Sequence, residues 1–204
     1  ATFKTSLEYV TISSKGGSND FGDFAGASYR PAGCNSSTRG LFGGKFGPSG
    51  WVQTNVIEFI TIATTGNGSD FGDLQKGITN CGAVSSPTRG VFGGGENPVN
   101  LIGYVTIATT GNAQDFGDLT VGRKEAYGSG SGVRGLFNGG MATPVRVNTI
   151  DYITIATLGN AADFGDTLPA ISQAGAAASS SVRSVRGGGS APPSPYPNTN
   201  IIDY

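Results

Sequence analysis

The chain of 204 residues contains no histidine. Histidine is the commonest general base and metal ligand in proteins, and its side chain titrates near neutral pH. Its absence excludes Ser-His-Asp and Cys-His catalytic sets. Two cysteines are also too few for a zinc site built from thiolates alone. We therefore expect a protein that is not an enzyme and that has no metal and no cofactor.

Charged residues are scarce, at 13% of the chain, and the net charge is −1. The 13 Lys and Arg residues form no run, so we expect no nucleic-acid partner. No segment approaches the ~20 consecutive apolar residues of a membrane span, so we expect no insertion into a membrane. Residues 1–6 lack the apolar segment of a secretory signal.

The two cysteines, Cys34 and Cys81, lie at different distances from the arginine that follows each of them. They therefore do not occupy equivalent places in the repeats described below. One interpretation is a disulfide between neighbouring units. We favour a pair of buried free thiols, because free cysteine is among the most buried residue types.

One short pattern occurs four times along the chain. A β-branched run of the type Tyr-Val-Thr-Ile is followed, a dozen residues later, by Asp-Phe-Gly-Asp, hereafter the tetrad. The runs begin at Glu8, Glu58, Gly103 and Asp151, and the tetrads begin at Asp20, Asp70, Asp115 and Asp163. Such a period predicts a propeller, solenoid or array that forms one domain over residues 1–204. The predicted units span residues 8–57, 58–102, 103–150 and 151–200, with a partial fifth unit at 201–204.

Composition and local pattern predict an all-β chain. The 35 glycines and 10 prolines alternate with regular Ile, Val, Phe and Tyr runs, as expected of many short strands joined by tight turns. In the best-defined unit we expect strands at 89–95, 100–108 and 115–119, the second with apolar residues on both faces.

The segments between these strands also carry predictions. The loop after the second strand is expected to turn at Gly111 and Asn112, both with positive φ. The Gly, Ser and Ala residues at 124–131 suit a place where strands converge closely.

With four strands per unit, a double glycine after the second strand, and aromatic residues in the third strand and near the fourth, the pattern resembles the kelch repeat of β-propellers. The double glycines are Gly43-Gly44, Gly93-Gly94, Gly139-Gly140 and Gly187-Gly188. The kelch tyrosine corresponds to Tyr9, Phe59, Tyr104 and Tyr152, while the usual kelch tryptophan is replaced by Phe21, Phe71, Phe116 and Phe164. The resemblance implies a kelch-like propeller of about four blades, each with four short antiparallel strands. The copper site of galactose-oxidase-type kelch enzymes needs histidine and is therefore not expected.

A second resemblance rests on several motifs in a fixed order: Asp-Tyr-Ile-Thr-Ile-Ala-Thr-x-Gly-Asn-Ala, then the tetrad, then Arg-Gly-Val-Phe-Gly-Gly-Gly. This order is similar to repeats in virion structural proteins of tailed phages, notably those of aquatic or cyanobacterial hosts. This resemblance implies a non-enzymatic structural or adhesion protein of a phage tail or capsid appendage. Its implied partners are other virion proteins, further copies of itself and a host-surface glycan. Its implied location is the extracellular particle, after synthesis in the host cytoplasm. The alternative function is that of a lectin-like, carbohydrate-binding propeller.

The tetrad has a catalytic and a structural interpretation. A protein kinase has one Asp-Phe-Gly and needs a His-Arg-Asp loop, so four copies without histidine exclude that class. Paired aspartates are also Ca²⁺ ligands, but the spacings of known Ca²⁺-binding repeats and EF-hands are missing. A glycosidase with two carboxylates is allowed by composition, although catalysis normally uses unique residues. We favour a structural role, in which the first aspartate accepts backbone N–H bonds in a turn and the phenylalanine packs between units.

An arginine opens the second strand of every unit. These residues are Arg39, Arg89, Arg134 and Arg183. One interpretation is a ring that binds an anionic sugar. We favour an ion pair between each arginine and an aspartate of a tetrad. The fourth copy has Arg186 where the others have phenylalanine, so it is expected to face a different neighbour or solvent.

Specific binding is expected in the non-repeated loops, because loops on a rigid scaffold carry most binding residues. The candidate residues are Phe46, Trp51 and Tyr196, the last within the proline-rich run 192–197. Exposed aromatic side chains are suited to anchoring a partner protein or stacking on a sugar. The structural interpretation is that they cover an edge of the fold.

A propeller closes by pairing strands from both ends of the chain. We expect the strands near the N-terminus to complete a fourth blade with strands from about residues 170–188. Residues 200–204 duplicate what residues 6–9 already offer. This tail is interpreted as an added edge strand, as a strand that pairs with a neighbouring chain, or as part of a longer array.

Overall fold

A computed structural model describes residues 4–47, 51–168, 176–190 and 201–204 of the chain. Every regular element in these ranges is a β-strand, which confirms the all-β prediction. The strands, in chain order, are β1 (Lys4–Tyr9), β2 (Asn19–Ser28), β3 (Ala32–Asn35), β4 (Arg39–Gly43), β5 (Thr54–Thr61), β6 (Ser69–Ile78), β7 (Gly82–Ser85), β8 (Arg89–Gly93), β9 (Leu101–Thr106), β10 (Gln114–Asp118), β11 (Tyr127–Gly130), β12 (Arg134–Asn138), β13 (Met141–Ala142), β14 (Val145–Arg146), β15 (Thr149–Thr154), β16 (Ala162–Asp166), β17 (Ala176–Ser179), β18 (Ser184–Gly187) and β19 (Ile202–Asp203).

Three of the sheets have the same design, with four short antiparallel strands each. Their strand orders are β3-β4-β5-β6, β7-β8-β9-β10 and β11-β12-β15-β16. The small hairpin β13-β14 lies in the connection between β12 and β15, which pair directly with each other in the third sheet. The predicted number of strands per unit is therefore confirmed for these three sheets.

The second sheet shows why the sequence folds in this way. The predicted strands at 89–95, 100–108 and 115–119 are present as β8, β9 and β10, with boundaries shifted by one or two residues. The second strand ends at a double glycine because Gly94 has φ of +75°, a conformation that side chains with a Cβ rarely adopt. In the loop between β9 and β10, Gly111 has positive φ, as predicted, but Asn112 does not. The side chain of Asn112 instead accepts a hydrogen bond from the preceding unit.

The two ends of the chain form smaller sheets. β1 and β2 make a two-stranded sheet, and β17, β18 and β19 make a three-stranded one. The prediction that β1 and β2 complete a fourth sheet with β17 and β18 is wrong in this structure, because β18 pairs with β19. Residues 202–203 of the tail pair with β18 as the outer strand of that sheet.

The sheets stack in chain order through their first strands. β3 packs on β7, β7 on β11, and β11 on β17. The small residues expected at this place are required there, because a Cβ on Gly128 would lie 1.8 Å from the carbonyl oxygen of Ala83. Two apolar clusters fill the space between successive sheets, one around Phe92 and Leu41 and the other around Phe137 and Val91.

Cys34 and Cys81 are buried free thiols within the first of these clusters, as the favoured interpretation predicted. Burial raises the pKa of each thiol to about 12, since the interior disfavours the thiolate. The nucleophilic thiolate is therefore scarce at neutral pH, and both cysteines serve as small apolar residues.

Candidate functional site

The tetrads form the contact between one unit and the next. In three cases the loop before the next tetrad lies against the tetrad, and we call these segments, 66–68, 111–113 and 159–161, the Gly-Asn loops. The backbone amide of Gly66 donates to the Phe21 carbonyl at 2.7 Å, and that of Gly68 donates to the Asp23 carbonyl at 2.8 Å. The same two bonds recur between the loop at Gly111 and Phe71 and between the loop at Gly159 and Phe116.

The asparagine of each Gly-Asn loop adds a side-chain contact. The backbone amide of Asp23 donates to Asn67 Oδ1 at 3.0 Å. The equivalent bonds join Asp73 to Asn112 and Asp118 to Asn160, each also at 3.0 Å. The asparagine therefore acts as a cap on the strand of the preceding unit, much as Asx side chains cap turns within one segment.

We expect Asn112→Ala to destabilise the protein by about 1 kcal/mol, because the amide of Asp73 loses its acceptor. Chemical denaturation monitored by circular dichroism measures this change. Asn19→Ala is a matched control, since Asn19 is an exposed asparagine with no side-chain hydrogen bond among the described residues. Equal stabilities of the two variants would contradict a capping role for Asn112.

Phenylalanine of the tetrad packs between units, as predicted, in the three copies that meet a Gly-Asn loop. Phe21, Phe71 and Phe116 are all buried. Each also lies edge-on against the aromatic residue of the third strand in its own unit, with ring centroids 5.9–6.0 Å apart. The fourth copy, Phe164, keeps the ring contact with Tyr152 but is 51% exposed.

The carboxylates of the tetrads face outward. The first aspartate of each is exposed, and only Asp163 shows the predicted turn, with Gly165 N donating to Asp163 Oδ1 at 3.0 Å. Where a Gly-Asn loop is present, the cap comes instead from the asparagine of the next unit. Within the described ranges no three His, Cys, Asp or Glu side chains converge on a possible metal position.

The arginines do not pair with the tetrad aspartates, so this prediction is wrong. Arg39 stacks over the ring of Phe59, at 4.8 Å from its centroid, and donates to the carbonyls of Ile107 and Ala108 at 2.9 Å. Arg89 repeats both contacts with Tyr104 and with the carbonyls of Ile155 and Ala156. Backbone carbonyls of the next sheet therefore accept the hydrogen bonds of these two guanidinium groups.

Arg134 and Arg183 keep only part of this arrangement. Each stacks over an aromatic ring at 4.8 Å, Arg134 over Tyr152 and Arg183 over Tyr204. Arg186, which replaces the phenylalanine of the other copies, is buried and does not face solvent. Its guanidinium donates to the Leu168 carbonyl at 3.4 Å.

The acidic residues at the start of the third strand form a contact that the sequence reasoning missed. Glu58 is buried and accepts hydrogen bonds from the amide of Ala25 and from Lys45. Asp151 is likewise buried, and it accepts bonds from the amide and the hydroxyl of Thr120, at 2.9 and 2.6 Å. The signal was present, because the four repeated runs begin at Glu8, Glu58, Gly103 and Asp151.

Asp151 also forms a fully buried ion pair with Arg123, with 2.9 Å between Nη2 and Oδ2. Burial lowers the pKa of Arg123 from its ordinary value, and Asp151 opposes that shift. In the second sheet the acid is replaced by Gly103, and the side chain of Gln75 lies beside that glycine. These residues link units, so their charges serve the assembly of the array.

Two of the three loop aromatics predicted for binding lie together. Trp51 contacts Phe46 and Tyr29 edge-on, with ring centroids 5.1 and 5.3 Å apart. Phe46 is buried whereas Trp51 is 62% exposed, and Arg30 lies 5.2 Å from the Tyr29 ring. We call these four residues the aromatic cluster. Tyr196 and the proline-rich run lie outside the described residues.

The aromatic cluster is positioned by backbone bonds between two loops. The amides of Tyr29 and Phe46 donate to each other's carbonyls, at 3.3 and 3.0 Å, and Gly47 N donates to the Val52 carbonyl at 2.8 Å. Tyr29 was missed from sequence because it stands outside the loop that holds the other two aromatics. An exposed indole on a fixed support is able to stack on an apolar sugar face or on a protein partner.

No protein-family model matches the chain, and a search of curated proteins finds no match. In the described part, no helix is long and apolar enough to cross a membrane.

Proposed function

We propose that the chain is a non-enzymatic structural or adhesion protein of a tailed-phage particle, built from kelch-like blades. The observation that supports this role is that charged side chains, which could serve catalysis or ligand binding, form contacts between different parts of the repeat array. Arg39 and Arg89 donate to backbone carbonyls of the next sheet, and Asp151 binds Arg123 and Thr120. A residue engaged in this way holds a scaffold together and is unavailable for substrate.

The blade assignment is part of the proposal. It is supported by three sheets of four antiparallel strands, each with a glycine of positive φ after the second strand. The aromatic rings of the third and fourth strands are in edge-on contact within each unit. Such a rigid stack would dock on other virion proteins and present its loops to a host surface.

Mass spectrometry of purified phage particles tests the proposed role. We expect peptides of this chain in a fixed ratio to those of other virion proteins, retained after density-gradient purification and a high-salt wash. Peptides that are abundant in the infected-cell lysate but absent from the particles would contradict the proposal. A screen with chromogenic glycosides is expected to show no hydrolysis above that of buffer.

Carbohydrate binding is the second candidate function, and the exposed Trp51 of the aromatic cluster favours it. On a glycan array, a lectin would bind a selective set of sugars, and Trp51→Ala would remove that binding. Val52→Ala is the matched control, because Val52 is its exposed neighbour and offers no ring for stacking. An array without selective signals would reject the lectin and leave the structural role.

A further inference from the structure

One backbone position carries a left-handed, non-glycine residue in each of three successive units. Arg30, Asn80 and Glu125 have φ of +56°, +56° and +60°, and each stands two residues before the first strand of its sheet. Because the first strands pack on one another, these residues form a row along the stack, which we call the entry row. Strained residues of this kind are concentrated at functional sites, including those that hold ligands.

Hydrogen bonds between side chains connect the entry row across three units. Arg30 Nη1 donates to Asn80 Oδ1 at 3.2 Å, and Asn80 Nδ2 donates to Glu96 Oε2 at 2.7 Å. Lys124 binds the other carboxylate oxygen of Glu96. The guanidinium of Arg30 is therefore oriented by side chains of the next two units, although Arg30 itself is exposed to solvent.

The charge of Arg30 has no carboxylate partner within the described ranges. The ion pairs found there are Lys45 with Glu58, Arg123 with Asp151, and Lys124 with Glu96. Asn80, which accepts from Arg30, is neutral, and the charge of Glu96 is balanced by Lys124. An exposed guanidinium that is held in place without a counter-charge is suited to binding a carboxylate from solution.

The aromatic cluster lies directly beside this guanidinium. The Cζ atom of Arg30 is 5.2 Å from the centroid of the Tyr29 ring, and the Trp51 ring is 5.3 Å from it. Trp51 meets both Tyr29 and Phe46 edge-on, so neither ring is stacked parallel to the indole, which is 62% exposed. Since Arg30 and Trp51 flank the same ring, a single sugar residue is large enough to contact both.

We propose that the aromatic cluster binds a glycan through an acidic sugar, a pyranose that carries a carboxylate, such as a uronic acid or a sialic acid. The apolar face of the sugar stacks on Trp51, and its carboxylate accepts hydrogen bonds from the N–H groups of Arg30 that Asn80 does not use. Asn80 is a positioning residue, because it orients the guanidinium. This inference rests on carbohydrate binding, the second candidate function, and assigns the class of sugar.

The fluorescence of Trp51 tests the proposal, because Trp51 is the only tryptophan of the chain and reports binding at this place. The probes are trigalacturonate and sialyllactose, each compared with a neutral counterpart, carboxyl-reduced trigalacturonate and lactose. We expect a saturable change in emission with at least one acidic sugar. Its neutral counterpart should bind about tenfold more weakly or less, since a charge-assisted hydrogen bond is lost. Tetraglutamate, which offers carboxylates without a sugar ring, should cause no saturable change.

Three variants assign the preference to particular residues. Arg30→Gln removes the charge at an exposed position, so the acidic sugar should bind no more tightly than its neutral counterpart. Asn80→Gly removes the acceptor that orients Arg30 and fits the positive φ, so it should reduce the ratio of acidic to neutral affinity while neutral binding stays the same. Lys15→Gln is the matched control, because it removes one positive charge from the exposed loop between β1 and β2, and it should bind like the wild type.

The outcomes separate this inference from carbohydrate binding itself. Equal affinities for an acidic sugar and its neutral counterpart would overturn the acidic-sugar proposal and leave carbohydrate binding in place. A preference for the acidic sugar that survives Arg30→Gln would also overturn it. Emission unchanged by every sugar, together with a glycan array without selective signals, would reject both. Tetraglutamate that binds as tightly as the acidic sugar would overturn the proposal in favour of an acidic peptide.

Discussion

Gly117→Ala is expected to destabilise the protein by about 2–6 kcal/mol, whereas Gly165→Ala should cost only about 1–3 kcal/mol. Both glycines have nearly the same backbone, with φ of +143° and +138°, so both variants carry the same conformational strain. Only Gly117 is opposed by another unit, because its new Cβ would lie 2.4 Å from the Gly159 carbonyl oxygen. The difference between the variants therefore measures the docking of one unit on the next.

The contact cannot relax easily at Gly117, because the opposing atoms are backbone. The loop at Gly159 is held by two hydrogen bonds to the β10 tetrad, from Gly159 N to the Phe116 carbonyl and from Ala161 N to the Asp118 carbonyl, each at 2.8 Å. An added methyl group must break or stretch these bonds. It would also open the apolar cluster that contains Phe116 and Ile155.

Guanidinium chloride unfolding of the two variants and the wild type measures the effect. In a stacked array each interface adds to stability through its nearest neighbours, so loss of one interface should also broaden the transition. Tryptophan fluorescence at Trp51 and circular dichroism report different parts of the chain and would then give different midpoints. Equal losses for Gly117→Ala and Gly165→Ala would mean that the Gly-Asn loops do not stabilise the stack.

The sequence alone was sufficient to predict the elements within a unit. Alternating apolar residues and double glycines placed β8, β9 and β10 within two residues of their observed boundaries. These features are local, because strand period and turn conformation depend on neighbouring residues. Burial of Phe71 and Phe116 followed from repetition of the tetrad, since a repeated phenylalanine has to pack against a repeated surface.

The contacts between units were not predictable in the same way. Arg39 was expected to bind a carboxylate because charge is visible in a sequence, but its partners are the carbonyls of Ile107 and Ala108. Every residue has a backbone carbonyl, so residue type does not indicate which carbonyl accepts the hydrogen bond. The role of Asn112 was not predicted either. An asparagine after a glycine is typical of a turn, whereas Asn112 caps a strand of another unit by accepting the amide of Asp73.

The candidate binding site was predicted in part. Phe46 and Trp51 share one loop, and the structure places them together, but their third partner, Tyr29, comes from a neighbouring segment through a backbone bridge. The pairing of β18 was predicted wrongly, because β1 and β19 carry nearly the same residues. When two segments of one chain carry nearly the same residues, the sequence does not show which of them pairs with a given strand edge.

Replacement of Asp151 by alanine should destabilise the protein by about 3–5 kcal/mol, because it leaves the guanidinium of Arg123 buried without a counter-charge. Neither side chain of the pair is accessible to solvent. Arg123 Nη2 would keep only the Phe137 carbonyl at 3.2 Å, and Thr120 would lose the acceptor for its amide and its hydroxyl. The loss should fall between the second and third sheets, which these residues join.

The double variant Arg123→Met and Asp151→Ala should be more stable than Asp151→Ala alone, since the uncompensated charge is removed with its partner. Glu96→Ala is the comparison variant, because Glu96 binds Lys124 and Asn80 at a site that solvent still reaches, and it should cost less than Asp151→Ala. A double-mutant cycle gives the coupling energy of the buried pair. It requires denaturation of the wild type, of the single variants Arg123→Met and Asp151→Ala, and of the double variant. A double variant as unstable as the sum of its single changes would show that Arg123 and Asp151 do not act as a pair.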